Sequence, residues 1–316
     1  MSSVSDRTEP TGAVGSVSPV AILFQFVRGF FMGTADIVPG VSGGTVALIL
    51  GIYHDLIANV RAGAGALRQL VTGNLGNGFE RLKAIDWLFL IPLGSGVLAA
   101  FALLRHPMED LLHERPEGVA AVFCGLVLAS CWLVYRTITD WNPQTIGAVI
   151  GVAIAAFVLL GFQAGAVSEP ALPFFFVSGA IAICAMILPG ISGSFILLML
   201  GMYAAVLGGS IPELAVFLVG ATIGLGAFSS VLSWLLAHHE QLVLSALLGL
   251  MIGSFRVLWP WPNGVGFISD EADEVVKGTD LSWPDAGQLA GGVALAAAAL
   301  VATMILVRVA ESKPEA

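Results

Sequence analysis

Two short stretches of the chain carry residue types from which an anion site can be built. One is Pro39-Gly40-Val41-Ser42-Gly43-Gly44-Thr45, and the other is Pro189-Gly190-Ile191-Ser192-Gly193-Ser194. Proline stops a helix and glycine permits a sharp redirection of the chain. A helix that restarts after such a break has backbone amides without helical partners in its first turn. Ser42 and Ser192 stand at N-cap positions, and the glycines let a ligand come close to the backbone. Free amides and the positive end of a helix dipole together favour a phosphate or carboxylate. The candidate binding residues are Pro39, Gly40, Ser42, Gly43, Gly44 and Thr45, with Pro189, Gly190, Ser192, Gly193 and Ser194 in the second stretch. The competing account is that small residues only allow helices to pack closely in a bilayer. Two copies of the motif favour the binding account.

A few ionisable residues lie in apolar surroundings. Arg28 is eight residues before Asp36, inside the first apolar segment. A charge at that depth costs about 2.5–3.5 kcal/mol on insertion scales, so it requires a partner or a polar cavity. Arg28 either grips a phosphate with its guanidinium fork, pairs with Asp36, or snorkels to the interface. Asp36 has no counterpart in the second copy, where Met186 stands, and is a candidate proton or cation site. Arg256, near the end of its own segment, either snorkels or attracts an anionic headgroup; snorkelling suffices to explain it alone. Tyr53 and Tyr203 match in the repeat and end the second arm of each pair, read as structural hydrogen-bond formers or interface anchors. His54-Asp55 and the His238-His239-Glu240 loop lack the i, i+4 spacing of a zinc site. Cys124, Cys131 and Cys184 sit in apolar runs with no ligand spacing and read as core residues. Neither metal nor cofactor is expected. None of the three lysines (Lys83, Lys277, Lys313) follows a phosphate-binding glycine loop, which argues against direct ATP driving.

The elements that must position these residues are membrane helices. The 316 residues are 57% apolar and only 11% charged, with 38 glycines besides, too few polar groups to coat a soluble globule. A net charge of −9 excludes a basic nucleic-acid-binding surface. Residues 1–18 read as a disordered cytoplasmic tail without the pattern of a cleaved signal peptide, and 311–316 as a second tail. Ten apolar segments lie between them, at 19–38, 41–58, 86–105, 117–136, 143–162, 172–188, 191–208, 212–237, 241–259 and 286–308.

Residues 35–53 align without a gap onto 185–203, at an offset of 150, with ten of nineteen positions identical. A weaker echo runs from Phe123 to Ser130 and from Leu248 to Ser254. Two repeats are expected, 19–167 and 168–310, each with a Pro-Gly-broken hairpin and about three crossings. Whether the hairpins are re-entrant or fully spanning, the count per unit is odd and the second repeat is expected to be inverted; only a broken helix crossing once per pair would give an even count and parallel repeats. Arg61, Arg68, Arg81 and Lys83 place the 59–85 loop in the cytoplasm, which puts both termini there and the acidic 260–285 stretch outside. Trp87, Trp259, Trp261 and Trp283 fall at segment ends, as an interfacial belt requires.

The paired motifs, DIVPGVSGGT with LILGIY and LPGISGS with LMLGMY, resemble those of the polyprenyl-phosphate transporter family from about residue 20 to 308. That resemblance implies a translocase rather than an enzyme. Its substrate would be undecaprenyl phosphate or a similar lipid carrier, moved from the outer to the cytoplasmic leaflet of the cell membrane. The lipid would be reused in cell-wall or other envelope glycan synthesis. Pro39, Gly40, Ser42, Gly43, Pro189, Gly190, Ser192 and Gly193 match the family motifs; Arg28 and Asp36 are inferred from their position alone. Few lysines and acidic outer loops also suit a high-salt organism, where the lipid would be of the dolichyl type. Alternating access of the two units would carry the headgroup, with H+ or Na+ coupling or none. Two rivals are an intramembrane polyprenyl diphosphate phosphatase, which needs an acid or base that the motifs do not offer beyond Asp36, and a small-anion transporter or channel.

Overall fold

A computed structural model describes residues 19–37, 42–162, 167, 169–261 and 281–311, and every regular element among them is an α-helix. Pro39 and Gly40 lie outside the described residues, as do the expected tail over 1–18, the last five residues and most of the acidic 260–285 stretch. The first half contains α1 (Pro19–Ile37), α2 (Gly43–Ile49), α3 (Tyr53–Val71), α4 (Leu75–Lys83), α5 (Trp87–Glu114), α6 (Pro116–Thr137) and α7 (Pro143–Leu159). The second contains α8 (Leu172–Ile187), α9 (Gly193–Met199), α10 (Tyr203–Leu207), α11 (Ile211–Gly253), α12 (Phe255–Leu258) and α13 (Ala286–Glu311). Five stretches are long and apolar enough to cross a membrane: α1, Trp87–Leu104, α6, Ile211–Leu258 and Ala286–Ile305. The chain is an all-α polytopic membrane protein.

Helix starts are set locally. Asn142 caps α7 in a reciprocal box with Thr145, Asp86 accepts from Phe89 N at 3.0 Å, and Asp285 accepts from Gln288 N at 2.8 Å. α11 is too long for one crossing, and the non-helical backbone of His239 divides it there (φ −139°, ψ 42°). The His238–Glu240 stretch is therefore a kink within a helix rather than a loop.

The second arm of each hairpin differs from the expected single segment. α2 and α9 have seven residues each, about 10 Å at 1.5 Å per residue, a third of the hydrocarbon core. Each stops at a glycine with positive φ, Gly51 (71°) and Gly201 (68°), a conformation that L side chains resist. Tyr53 and Tyr203 accordingly open the next helices, α3 and α10, instead of closing the arms. The expected 59–85 loop is also mostly helical. α3 and α4 form a hairpin there, anchored on α11 where Arg61 donates to Ser233 Oγ at 3.0 Å.

Glycines set the tightest crossings, because a side chain there would strike a neighbouring backbone. α1 meets α5 at Gly29, Gly33 and Gly96; α8 meets α11 at Gly179, Gly220 and Gly224. Gly29 lies at Leu93 and Gly33 at Val97 and Ala100, so α1 and α5 run in the same direction. Gly220 lies at Phe176 and Gly224 at Ala180, so α8 and the first half of α11 do likewise. Gly125 of α6 packs on Ala296 of α13, while Gly249 and Gly253 of α11 pack on α7 at Val149 and Ala156. The main core joins α1, α2, α6 and α11 around Val127, Leu247 and Met251.

Candidate anion site at the paired helix breaks

The two Ser-Gly motifs, 150 residues apart in the chain, meet in space. Ser42 is the N-cap of α2, in extended conformation (φ −127°, ψ 134°), and its Oγ accepts from Gly44 N at 3.0 Å. The same hydroxyl donates across the junction to the carbonyl of Met186 at 2.9 Å. One turn on, Thr45 Oγ1 accepts from Gly190 N at 2.9 Å. Gly44 lies so close to the carbonyl of Ile187 that a Cβ would approach it at 2.5 Å. Ser42 and Thr45 are fully buried. The start of α2 is thus stitched to the end of α8 and the break that follows it.

Asp36 decides the electrostatics of the first copy. Its Oδ1 accepts from Gly43 N at 2.6 Å, so a carboxylate from within the chain already holds the amide that opens α2. In the second copy Met186 replaces it, with its Cβ 3.4 Å from where a Cβ on Gly193 would lie. Ser192 is extended (φ −96°, ψ 138°) without a side-chain cap, and its hydroxyl meets Ser194 Oγ at 2.7 Å. The amides of Gly193, Ser194 and Phe195 have no partner among the described residues. The two starts share a motif but differ in state: the first is filled by the protein itself, and the second is open.

Buried Pro189 and Gly190 complete the second break. Gly190 has φ +87° and lies against α11, 3.0 Å from Met251 Cα and 3.2 Å from Ser254 Oγ as measured from an ideal Cβ. Ser254 was visible in the sequence only as the end of the weak echo; its place under the break was not. Arg28 does not join this group directly. Its Nη1 donates to Gln25 Oε1 at 3.3 Å, and no ion pair with Asp36 exists among the described residues. Eight residues of helix hold the two about 12 Å apart along the axis. His54 faces Glu240 at 3.8 Å, and His238 stacks on Trp234.

Residues 32–276 match the model of the undecaprenyl phosphate translocase-like family, a span that contains both breaks. The chain belongs to that family. A polyprenyl-phosphate transporter from Vibrio cholerae serotype O1 is 40% identical over 259 residues, covering 80% of this chain and 83% of the relative. A polyprenyl-phosphate transporter from Staphylococcus aureus is 30% identical over 258 residues, 75% of this chain and 86% of the relative. No solved structure matches. The family match begins at Met32, so it includes Asp36 but leaves Arg28 outside.

Proposed function

We propose that this chain is a polyprenyl-phosphate translocase that returns the lipid from the outer to the cytoplasmic leaflet for reuse. The observation that carries the reading is the open start of α9 beside a filled start of α2, where the two copies of the motif come together. The headgroup would take the amides of Gly193, Ser194 and Phe195 with the hydroxyls of Ser192 and Ser194, while the prenyl chain stays in lipid. Ser42, Gly44 and Thr45 would hold the junction rather than touch the phosphate, and Pro39 and Gly40 would shape its first break.

The architecture that supports this is a pair of inverted repeats, 19–167 and 168–310. α1 runs parallel to α5, so the chain must return to its starting side between them. α2 is too short to cross, and the same holds for α8 to α11 through α9. Each unit then has a re-entrant hairpin and three net crossings, which inverts the second. Both termini would be cytoplasmic, in the cell membrane. Asp36 is the coupling candidate, because its protonation would weaken the bond to Gly43 N and alter the junction. Arg28, whose guanidinium donates to Gln25, would serve as a remote cation on the headgroup's route.

Leaflet exchange of undecaprenyl phosphate in proteoliposomes tests the reading. Wild type should support exchange, and Ser192→Ala/Ser194→Ala should slow it about tenfold or more, from loss of charge-assisted bonds. Absence of protein-dependent exchange under any imposed ion gradient would sink the reading. Uptake of inorganic anions instead would make the chain a small-anion transporter.

A further inference from the structure

Arg256 was separable from the motifs in sequence but is not separate from them in space. It lies on the four-residue helix α12, two positions after Ser254, whose Oγ is 3.2 Å from an ideal Cβ on Gly190 of the second break. Its neighbour Val257 is buried in a cluster with Phe195 of α9, Ile191, Ala156 of α7 and Leu160 just after it. The guanidinium carbon stands 5.0 Å from the Phe157 ring centre, and the group lies flat against Gly161, where a methyl group would overlap it. Arg256 makes no hydrogen bond or ion pair among the described residues, and its Nε is buried without a partner. A ring face preserves the charge but satisfies none of the five N–H donors. Leaving such a donor buried and unpaired is costly, so a purely structural arginine would be expected to reach a carbonyl or carboxylate.

Depth and surroundings say what could complete it. Trp259 begins within one turn of Arg256 and stacks edge-on with Trp261 and Trp283, the aromatic cluster that marks a membrane boundary. Beside Gly161, the α7 end exposes Leu159 and Phe162 as an apolar face suited to a hydrocarbon chain. An oxyanion at boundary depth, attached to an apolar tail, fits both.

We infer that Arg256, seated on Phe157 and Gly161, is a phosphomonoester headgroup site at the lipid-facing mouth of the second break. The inference rests on the transport reading for its role, though not for its chemistry. A phosphate supplies acceptors that match the guanidinium fork, and the tail lies along α7. The headgroup is thereby desolvated beside α9, whose Phe195 packs with the neighbouring Val257.

Binding of undecaprenyl phosphate to the purified full chain in nanodiscs, followed by native mass spectrometry, tests this apart from transport. Arg256→Gln should weaken binding about tenfold or more, through loss of a charge-assisted pair. Gly161→Ala keeps the charge but unseats the flexible guanidinium, and should weaken binding severalfold without threatening the fold. Undecaprenol, which lacks the phosphate, should bind all three proteins alike. Wild-type affinity in both variants overturns the site, and so does a wild type that binds no undecaprenyl phosphate. Competition by inorganic phosphate as effective as that of the lipid overturns the headgroup assignment in favour of a free anion. Binding that depends on Arg256, without leaflet exchange, upholds the site and refutes the transport reading instead.

Discussion

Asp36 and Met186 occupy equivalent positions in the two copies, and the difference between them polarises an otherwise duplicated junction. Asp36→Asn retains an oxygen for the bond to Gly43 N but removes the charge. The expected outcome is a folded protein whose exchange no longer responds to an imposed pH gradient, read in proteoliposomes with the gradient applied in either direction. Unchanged response would remove Asp36 from coupling. Thr45 bears a different burden, since its hydroxyl is the partner of Gly190 N in a buried seam. Thr45→Val orphans that amide and should cost about 1–3 kcal/mol, seen as a lowered midpoint of thermal unfolding in detergent. At this scale the sequence was informative about side chains and silent about carbonyls. The repeat pointed to Ser42 and Ser192, but nothing in a residue name marks Met186 as the acceptor across the junction. Thr45 was read as a ligand for the substrate, and its residue type gave no sign that its oxygen also accepts from Gly190 N across the junction.

Helix crossings depend on glycines whose roles can be told apart within one helix. Gly96 of α5 abuts the backbone of Phe26 and Phe30, whereas Gly94, two residues away, has nothing within 4 Å. Gly96→Ala should destabilise by about 1–3 kcal/mol or more through overpacking. Gly94→Ala should be neutral or stabilise by up to about 1 kcal/mol through helix propensity. Thermal unfolding of both variants side by side checks the pair, and equal effects would argue against the close α1–α5 crossing. The long helices were legible because unbroken apolar runs admit little else in a bilayer. The short ones were not. Segments 41–58 and 191–208 read as continuous because Gly51 and Gly201 are apolar-run residues until their positive φ is seen. α3 and α4 were taken for a loop because their exposed arginines satisfied the charge rule for a connection, and that rule says nothing about conformation.

At the scale of the whole molecule, helices of the first half of the chain pack on helices of the second. α6 packs on α13 through Gly125, and α7 packs on the second half of α11 through Gly249 and Gly253. Each half therefore leaves some of its helix faces to be covered by the other. Residues 1–167 and 168–316 expressed separately should fail to accumulate in membranes, and co-expression should restore both protein level and leaflet exchange. Stable accumulation of one half alone would contradict the exchange of helices. Sequence periodicity located the duplication through its offset of 150, but pairing between the copies leaves no trace in a self-alignment.

The exchanged helices also constrain how the protein can move. A rocking motion of one half against the other would tear apart two glycine-lined seams at which backbones touch. The interlocked α6, α7, α13 and the second half of α11 thus behave as a stator. Outside these seams lie the two short arms, α2 and α9, each followed by a glycine of positive φ, with α2 tied to the end of α8 and the break after it by two hydrogen bonds. A swing of either arm would displace only about 10 Å of helix, a far smaller moving part than half the protein.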